Sequence, residues 1–378
     1  MTAGNGRCPP SSRNRIEREV RATGPLLNLE LSVTSSYLVP VGLLNGASAD
    51  RAVATGQARW LAGGPQAFNA VTQISRARDG SGQRRALPLS LAEEVAPAQL
   101  AALSAPRKAW AGFDLSRPLI MGIVNVTPDS FSDGGDHADT PAAISFGEQL
   151  LAAGADILDI GGESTRPGSR EIPAEEEIRR VVPVIAALAT KGAVISVDTR
   201  HAAVMTAAIQ AGARIINDVT ALTGDPLSQK TAVDSGGDLV LMHMQGDPQT
   251  MQREPHYADV TLDLLDYFAD RLAILARFGL DIAKVSVDPG IGFGKNDQHN
   301  RLLLDELAAF HGFGCPLTLG VSRKSFISRL SRKEPPKERV AGSLAAGLAG
   351  LARGAQILRV HDVAETYQAI RVWQGISR

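Results

Sequence analysis

The chain has 378 residues, 44% of them apolar and 21% charged, with a formal net charge of −1. That composition supplies a large core, while no uninterrupted apolar run of about 20 residues suggests a membrane span and no one-sided basic excess suggests a nucleic-acid partner. Its two cysteines, Cys8 and Cys315, offer neither a disulfide framework nor a cysteine-rich metal site, which fits a reducing cytoplasm.

Residues 1–24 hold five arginines but no apolar h-region, and Glu17 and Glu19 argue against an organelle transit peptide, so they read as a disordered tail. From 25 to 115 the pattern is that of a small α+β appendage. It has β-like stretches at 27–33 and 37–44, helical ones at 48–55 and 91–103, and a polar segment, 76–85, rich in Arg, Gly and Ser. No motif in it carries recognisable chemistry. Residues 1–115 are net +5 and the remainder net −6.

From 116 to 378, eight short runs of Val, Ile and Leu each end in a polar residue and hand over to a helical period. Strands are expected at 119–126, 156–161, 194–198, 214–219, 239–244, 284–288, 317–321 and 357–361. Helices are expected at 141–153, 174–190, 201–211, 225–235, 258–278, 299–312, 337–353 and 363–375. Gly154-Ala155, Gly212-Ala213 and Gly354-Ala355 each stop a helix and open a strand, glycine suiting the left-handed stop. Repetition of this kind predicts the α/β class and a (β/α)8 TIM barrel, with a doubly wound open sheet as the alternative. In a barrel the polar endings Asn125, Asp159, Asp198, Asn217, His243, Asp288, Ser322 and Arg359 meet on one rim, where active sites form.

Chemistry concentrates at those endings. The loop from Asn125 to Gly135 has two carboxylates, hydroxyl and amide side chains and paired glycines; it suits a phosphate or a hydrated Mg²⁺, and equally a turn-rich solvent loop. The next loop, from Asp159 to Gly168, sets Arg166 among Gly and Ser, and a guanidinium grips phosphate bidentately. Asp198, Asn217, Asp288 and Lys324 are costly to bury unless paired. A carboxylate and an amide match the donors and acceptors of an amino-oxo pyrimidine ring, whereas an Asp288–Lys324 ion pair explains two of the four. Arg359 and His361 point the same way from their strand and suit an anion. His243, between two methionines, reads as a packed core histidine. The segment from Gly290 to Lys295 has neither phosphate-loop nor dinucleotide spacing.

Together these motifs resemble the dihydropteroate synthase family over residues 118–376. The resemblance rests on Met121-Gly122-Ile123-Val124-Asn125 with its Thr-Pro-Asp-Ser-Phe-Ser-Asp-Gly-Gly loop, on residues 159–167, on Ser322-Arg323-Lys324-Ser325 and on Arg359-Val360-His361-Asp362. It implies condensation of 6-hydroxymethyl-7,8-dihydropterin diphosphate with p-aminobenzoate, assisted by Mg²⁺. By similarity Asn125 contacts the metal and diphosphate, and Arg166, Arg359 and His361 hold phosphate oxygens. Asp198, Asn217, Asp288 and Lys324 read the pterin, with Phe293 in the same substrate-binding set. Phe131, Thr165, Pro167 and Ser322 line the p-aminobenzoate site. Catalysis would fall to Asn125, Asp159, Arg166, Lys324, Arg359 and His361. A homodimer through the late barrel helices is a further implication, and the appendage is the departure from the family pattern. Rival readings are a pterin-binding methyltransferase barrel, a Schiff-base aldolase using Lys324, and a non-catalytic pterin-binding paralogue.

Overall fold

The computed structural model describes Met1 and residues 36–127, 139–164, 169, 171–247 and 250–376. The expected tail and the β-like stretch at 27–33 lie outside the described residues. The first elements are β1 (Ser36–Leu44), α1 (Gly46–Ala54), β2 (Arg59–Trp60), β3 (Ala67–Arg76), β4 (Gly82–Pro88), α2 (Leu89–Val95) and α3 (Pro97–Ser104). β3 is the middle strand, antiparallel to β1 from Ser36↔Ser75 to Leu44↔Ala67 and to β4 from Ala70↔Pro88 to Arg76↔Gly82. The polar segment 76–85 is thus the turn of a hairpin and half of its second strand. β4 shows no alternation because Leu87 is its one buried side chain. The helix expected over 91–103 is split in two, since Pro97 has no N–H to carry a helical ladder through Ala96 and instead starts α3.

Eight strand-and-helix units follow: β5 (Leu119–Asn125), α4 (Asp139–Ala152), β6 (Ile157–Gly161), α5 (Ala174–Ala189), β7 (Val194–Asp198), α6 (Ala202–Gln210), β8 (Ile215–Asp218), α7 (Ser228–Ser235), β9 (Asp238–Met242), α8 (Val260–Arg277), β10 (Val285–Asp288), α9 (Asp297–Asp305), β11 (Thr318–Leu319), α10 (Ser325–Leu330), α11 (Val340–Leu351), β12 (Ile357–Val360) and α12 (Val363–Ile376). Parallel pairing runs in order from β5 to β10, and β12 joins β5 to β11. The ring closes where Val287 bridges Leu317, Val287 N–H donating to Pro316 O at 3.0 Å and the Ser286 and Thr318 hydroxyls meeting at 2.6 Å. This is a TIM barrel, and the eight expected strands are all present. Two local differences stand out. β11 is two residues long, ending at Leu319, and the short α10 was not anticipated. Gly154, Gly212 and Gly354 have φ of +106°, +109° and +94°, so the three repeated stops use a conformation that L side chains disfavour.

Strand alternation divides the barrel into an outer and an inner surface. Outward, Ile120, Val124, Leu158, Ile160, Ile195 and Val197 pack against the helices. Inward, Leu119, Met121, Ile157, Ile215, Val240 and Ile357 surround Trp110, which is fully buried and donates from Nε1 to Lys284 O at 3.0 Å. Trp110 therefore plugs the N-terminal end of the barrel. Charged side chains gather on the inner surface toward the C-terminal rim, above the buried hydroxyls of Ser196, Ser286 and Thr318. Ahead of the plug, Leu38, Phe68, Val71, Leu87, Leu100 and Leu103 form a core that includes Ala308 of the barrel, so the leading layer packs on the ring.

Candidate active site

The first polar level inside the barrel follows from register. Asp159 lies two residues beyond Ile157 on β6, Asn217 two beyond Ile215 on β8, and Arg359 two beyond Ile357 on β12, so all three inherit the inward direction. Asp159 is fully buried and Asn217 nearly so. Arg359 spans the barrel mouth: Nε donates to Asp159 Oδ2 and Nη2 to Asp198 Oδ2, both at 2.6 Å. Asn217 Nδ2 donates to the same Asp159 oxygen at 3.1 Å. Burial disfavours the Arg359 cation, yet Asp159 and Asp198 outweigh it and hold the guanidinium pKa above its ordinary value. Burial pushes the Asp198 carboxyl up, with Arg359 opposing and Asp159 adding to the rise.

On the opposite side, Asp288 is buried at the end of β10 and accepts from Gly290 N–H at 2.7 Å. Its pKa is raised by burial, against the pull of Lys324. Lys324 donates to Ile291 O, and its ammonium lies 4.3 Å from the centre of the Phe293 ring. Burial lowers the Lys324 pKa to about 8, although Asp288 favours its cation. A Cβ placed on Gly320 would come within about 4 Å of Asp288, Lys324 and Arg359 together, so these three groups gather around one point of the chain just past β11.

Ser322 and His361 also meet: Ser322 Oγ accepts from His361 N–H at 3.2 Å and lies 3.1 Å from its Nδ1. Arg323, ion-paired with Asp362, ties these last two loops together from a left-handed backbone conformation, φ +59°. Asn125 ends β5 opposite Gly161 and points inward one level above Asp159. The structure thus brings together Asn125, Asp159, Asp198, Asn217, Asp288, Phe293, Ser322, Lys324, Arg359 and His361. Phe131, Thr165, Arg166 and Pro167 lie outside the described residues. His243 is a packed histidine, edge-on to Tyr267 at 4.8 Å, and burial with nearby Lys295 drives its pKa down to about 2.

Residues 121–361 match the pterin binding enzyme family. Dihydropteroate synthase of Escherichia coli (strain K12) is 48% identical over 260 residues, which is 68% of this chain and 92% of the relative. The chain belongs to the dihydropteroate synthase family. Among solved structures of that family, the Xanthomonas albilineans enzyme with 4-aminobenzoic acid matches with a TM-score of 0.66 at 48% identity, covering 70% of this chain and 96% of that one. The Xanthomonas albilineans enzyme in complex with 7,8-dihydropteroate matches with a TM-score of 0.64 at 45% identity, covering 70% and 95%. The family match begins at Met121, so the leading α+β layer lies outside it.

Sequence reasoning missed two supports of this dihydropteroate synthase site. Asp218, buried with its pKa raised to about 6, accepts from Thr220 N–H at 2.7 Å and Leu222 N–H at 3.1 Å, holding Ala221 and Leu222 at positive φ in the loop after Asn217. The other is an acidic row on α8 and its N-terminal boundary, Asp259, Asp263, Asp266 and Asp270. Its spacing of four, three and four puts one face of a helix under like-charge repulsion and so signals a basic partner.

Proposed function

We propose that this enzyme joins 6-hydroxymethyl-7,8-dihydropterin diphosphate to p-aminobenzoate, giving 7,8-dihydropteroate and diphosphate. The observation that carries the reading is the convergence of Asp198, Asn217, Asp288, Lys324 and Arg359 in one barrel mouth. Carboxylates and an amide of this kind supply the pattern a pterin edge requires, with Lys324 and Arg359 contributing cations. The pterin methylene–oxygen bond breaks as diphosphate departs, a carbon–nitrogen bond forms with the arylamine, and the amine's proton passes to solvent. An arylamine is a weak nucleophile and diphosphate a good leaving group, so departure comes first; Asp159 and Asp198 then favour the cationic methylene. Arg359, bonded to Asp159 and Asp198, would exchange part of that grip for phosphate oxygens, and His361 and Arg166 would share the phosphate contact.

Mg²⁺ suits this rim, because Asn125 offers an amide oxygen, Asp159 Oδ1 is buried with no hydrogen-bond partner among the described residues, and the ion prefers few protein oxygens. Asn125 would hold it, and when bound it supplies neutralisation of the charge growing on the leaving group. p-Aminobenzoate would lie against Phe131, Thr165, Pro167 and Ser322. We further place the enzyme in the cytoplasm and read it as a homodimer, the dimer supported by exposed Leu330, Tyr367, Val372 and Ile376 on α10 and α12; light scattering that finds a monomer refutes the dimer. Among the described residues no helix is long and apolar enough to cross a membrane.

The test of the reaction is diphosphate release, expected only when both substrates are present. Pterin binding without release would point to a non-catalytic paralogue. Borohydride trapping at Lys324 with a carbonyl substrate would point to an aldolase.

A further inference from the structure

The leading layer holds the N-terminal end of α8 through its own side chains. Arg84 on β4 makes a two-pronged bond to Glu306, Nε–Oε1 at 2.7 Å and Nη2–Oε2 at 2.9 Å, while Nη1 binds Asp259 Oδ2 at 2.7 Å. Neither carboxylate has much solvent, with side-chain exposures of 10% for Glu306 and 6% for Asp259. Asp259 is also the N-cap of α8, accepting from Thr261 and Leu262 N–H. Arg76 adds Asp263 and Asp266, and Tyr37 donates to Asp266 at 2.8 Å. The N-terminus of α8 is therefore set by residues outside the barrel.

Two residues before that cap, Tyr257 donates from its hydroxyl to Gly294 O at 2.8 Å. Gly294 belongs to the tight turn 290–295, packed so closely on Gln245 that a Cβ there would lie 2.5 Å from the Gln245 carbonyl oxygen. Fully buried Lys295 fastens the same turn to Phe293 O and His243 O. The turn presents Ile291 O and the Phe293 ring to Lys324. Side-chain bonds at Asp259 and at Tyr257, joined by two residues of backbone, thus connect Arg84 to the turn that holds Lys324, the group that faces Asp288.

We propose that Arg84 is a positioning residue for the pterin pocket, acting through Tyr257 on the 290–295 turn, so that the leading layer is part of the substrate-binding apparatus. Deleting its charge loosens α8's start and lets Phe293 and Lys324 sample geometries that hold a flat heterocycle less well. The effect belongs to pterin capture rather than to bond cleavage. This inference rests on the synthase reading above, and the wild-type assay separates the two: no diphosphate release by the wild type sinks that reading, whereas a normal wild type with unaffected variants sinks this one.

The experiment uses the full chain and four variants: R84M, which keeps the stem without the charge, R84K, Y257F, and R84M/Y257F. R59A, at the exposed Arg59–Glu93 pair on the same layer, is the control. Coupling of this kind is worth roughly two- to thirty-fold in affinity. R84M and Y257F should each raise KM for the pterin diphosphate by that factor, leave kcat within about twofold, and combine to much less than the product of their separate effects. R84K should recover part of the loss and R59A should show none. A drop in Tm with an unchanged pterin KM, or equal losses in every kinetic parameter, overturns the proposal. Should R84M fail to fold, Y257F removes only a hydroxyl and decides the matter: an unchanged pterin KM in that variant is equally fatal.

Discussion

Replacing Arg359 by methionine keeps most of the side chain's reach and removes its charge, which makes it the sharpest probe of the site. In the native fold the guanidinium lies 2.6 Å from both Asp159 and Asp198, and Asp159 is fully buried. Two carboxylates would lose their counter-charge together, and breaking a buried pair from one side costs about 3–5 kcal/mol. At roughly 2 °C per kcal/mol for a large domain, Tm should fall by about 6–10 °C at pH 8. The loss should shrink in acid. Burial already raises the Asp198 pKa with Arg359 pulling it back, so the variant's native state retains a proton that its unfolded state has released. Stability then falls as pH rises from the ordinary carboxylate value through the raised one. Thermal unfolding followed by circular dichroism at pH 5 and pH 8 measures this. R359M/D159N should regain part of the stability, because one uncompensated charge has become an amide. Diphosphate release should stay about 10²–10³-fold low in both variants, since the group proposed to hold the leaving phosphate is gone. An R359M protein as stable as the wild type at pH 8, or a double variant with restored turnover, would refute the reasoning.

Burial lowers the Lys324 pKa to about 8, so KM for the pterin substrate should climb above that pH in the wild type and stay flat in K324M. In ligand-free protein the same depressed value makes stability rise with pH between about 8 and the lysine's ordinary 10.5, visible in denaturant midpoints. His201 lies 2.8 Å from fully buried Glu177, whose hydrogen bond raises the imidazole pKa above 6.5; that stabilisation is complete below 6.5 and lost as pH climbs through the raised value. H201A should flatten this dependence and lower Tm, and an unchanged Tm-versus-pH curve would count against the pair. Trp110→Ala should cost about 3–5 kcal/mol in urea unfolding while kcat of the folded protein stays within about twofold, because the plug sits at the end of the barrel away from the chemistry. Arg166→Ala should cut turnover by about 10²-fold or more with pterin affinity little changed; a near-normal rate removes Arg166 from the phosphate clamp.

Much of the barrel was legible without coordinates because its signals are local. A strand buried on both faces is an apolar run of four to six residues, a helix stop is a glycine, and a rim residue is whatever polar side chain ends the run; Asp159, Asn217 and Arg359 were found that way. β3 and β4 were not, since β4 has no alternation to read: Gln83, Arg84 and Arg85 are all exposed, and Arg84 is held by carboxylates rather than by a hydrophobic core. The acidic row on α8 was missed although its spacing calls for a basic partner, and which residues supply that partner, Arg76 and Arg84, only the structure shows.

Residue order was therefore sufficient for the number of units, for the rim as the place of chemistry and for the family, because each depends on interactions within about twenty residues or on motif identity. Folding in three dimensions settled the rest: that Arg359 lies between two carboxylates instead of standing free, that Trp110 seals the far end, and that Arg84 binds Asp259 and Glu306 across 175 and 222 positions of chain. Contacts at such separations leave no periodic trace, since which distant groups share a low-dielectric space is set by how the ring closes and what packs on it.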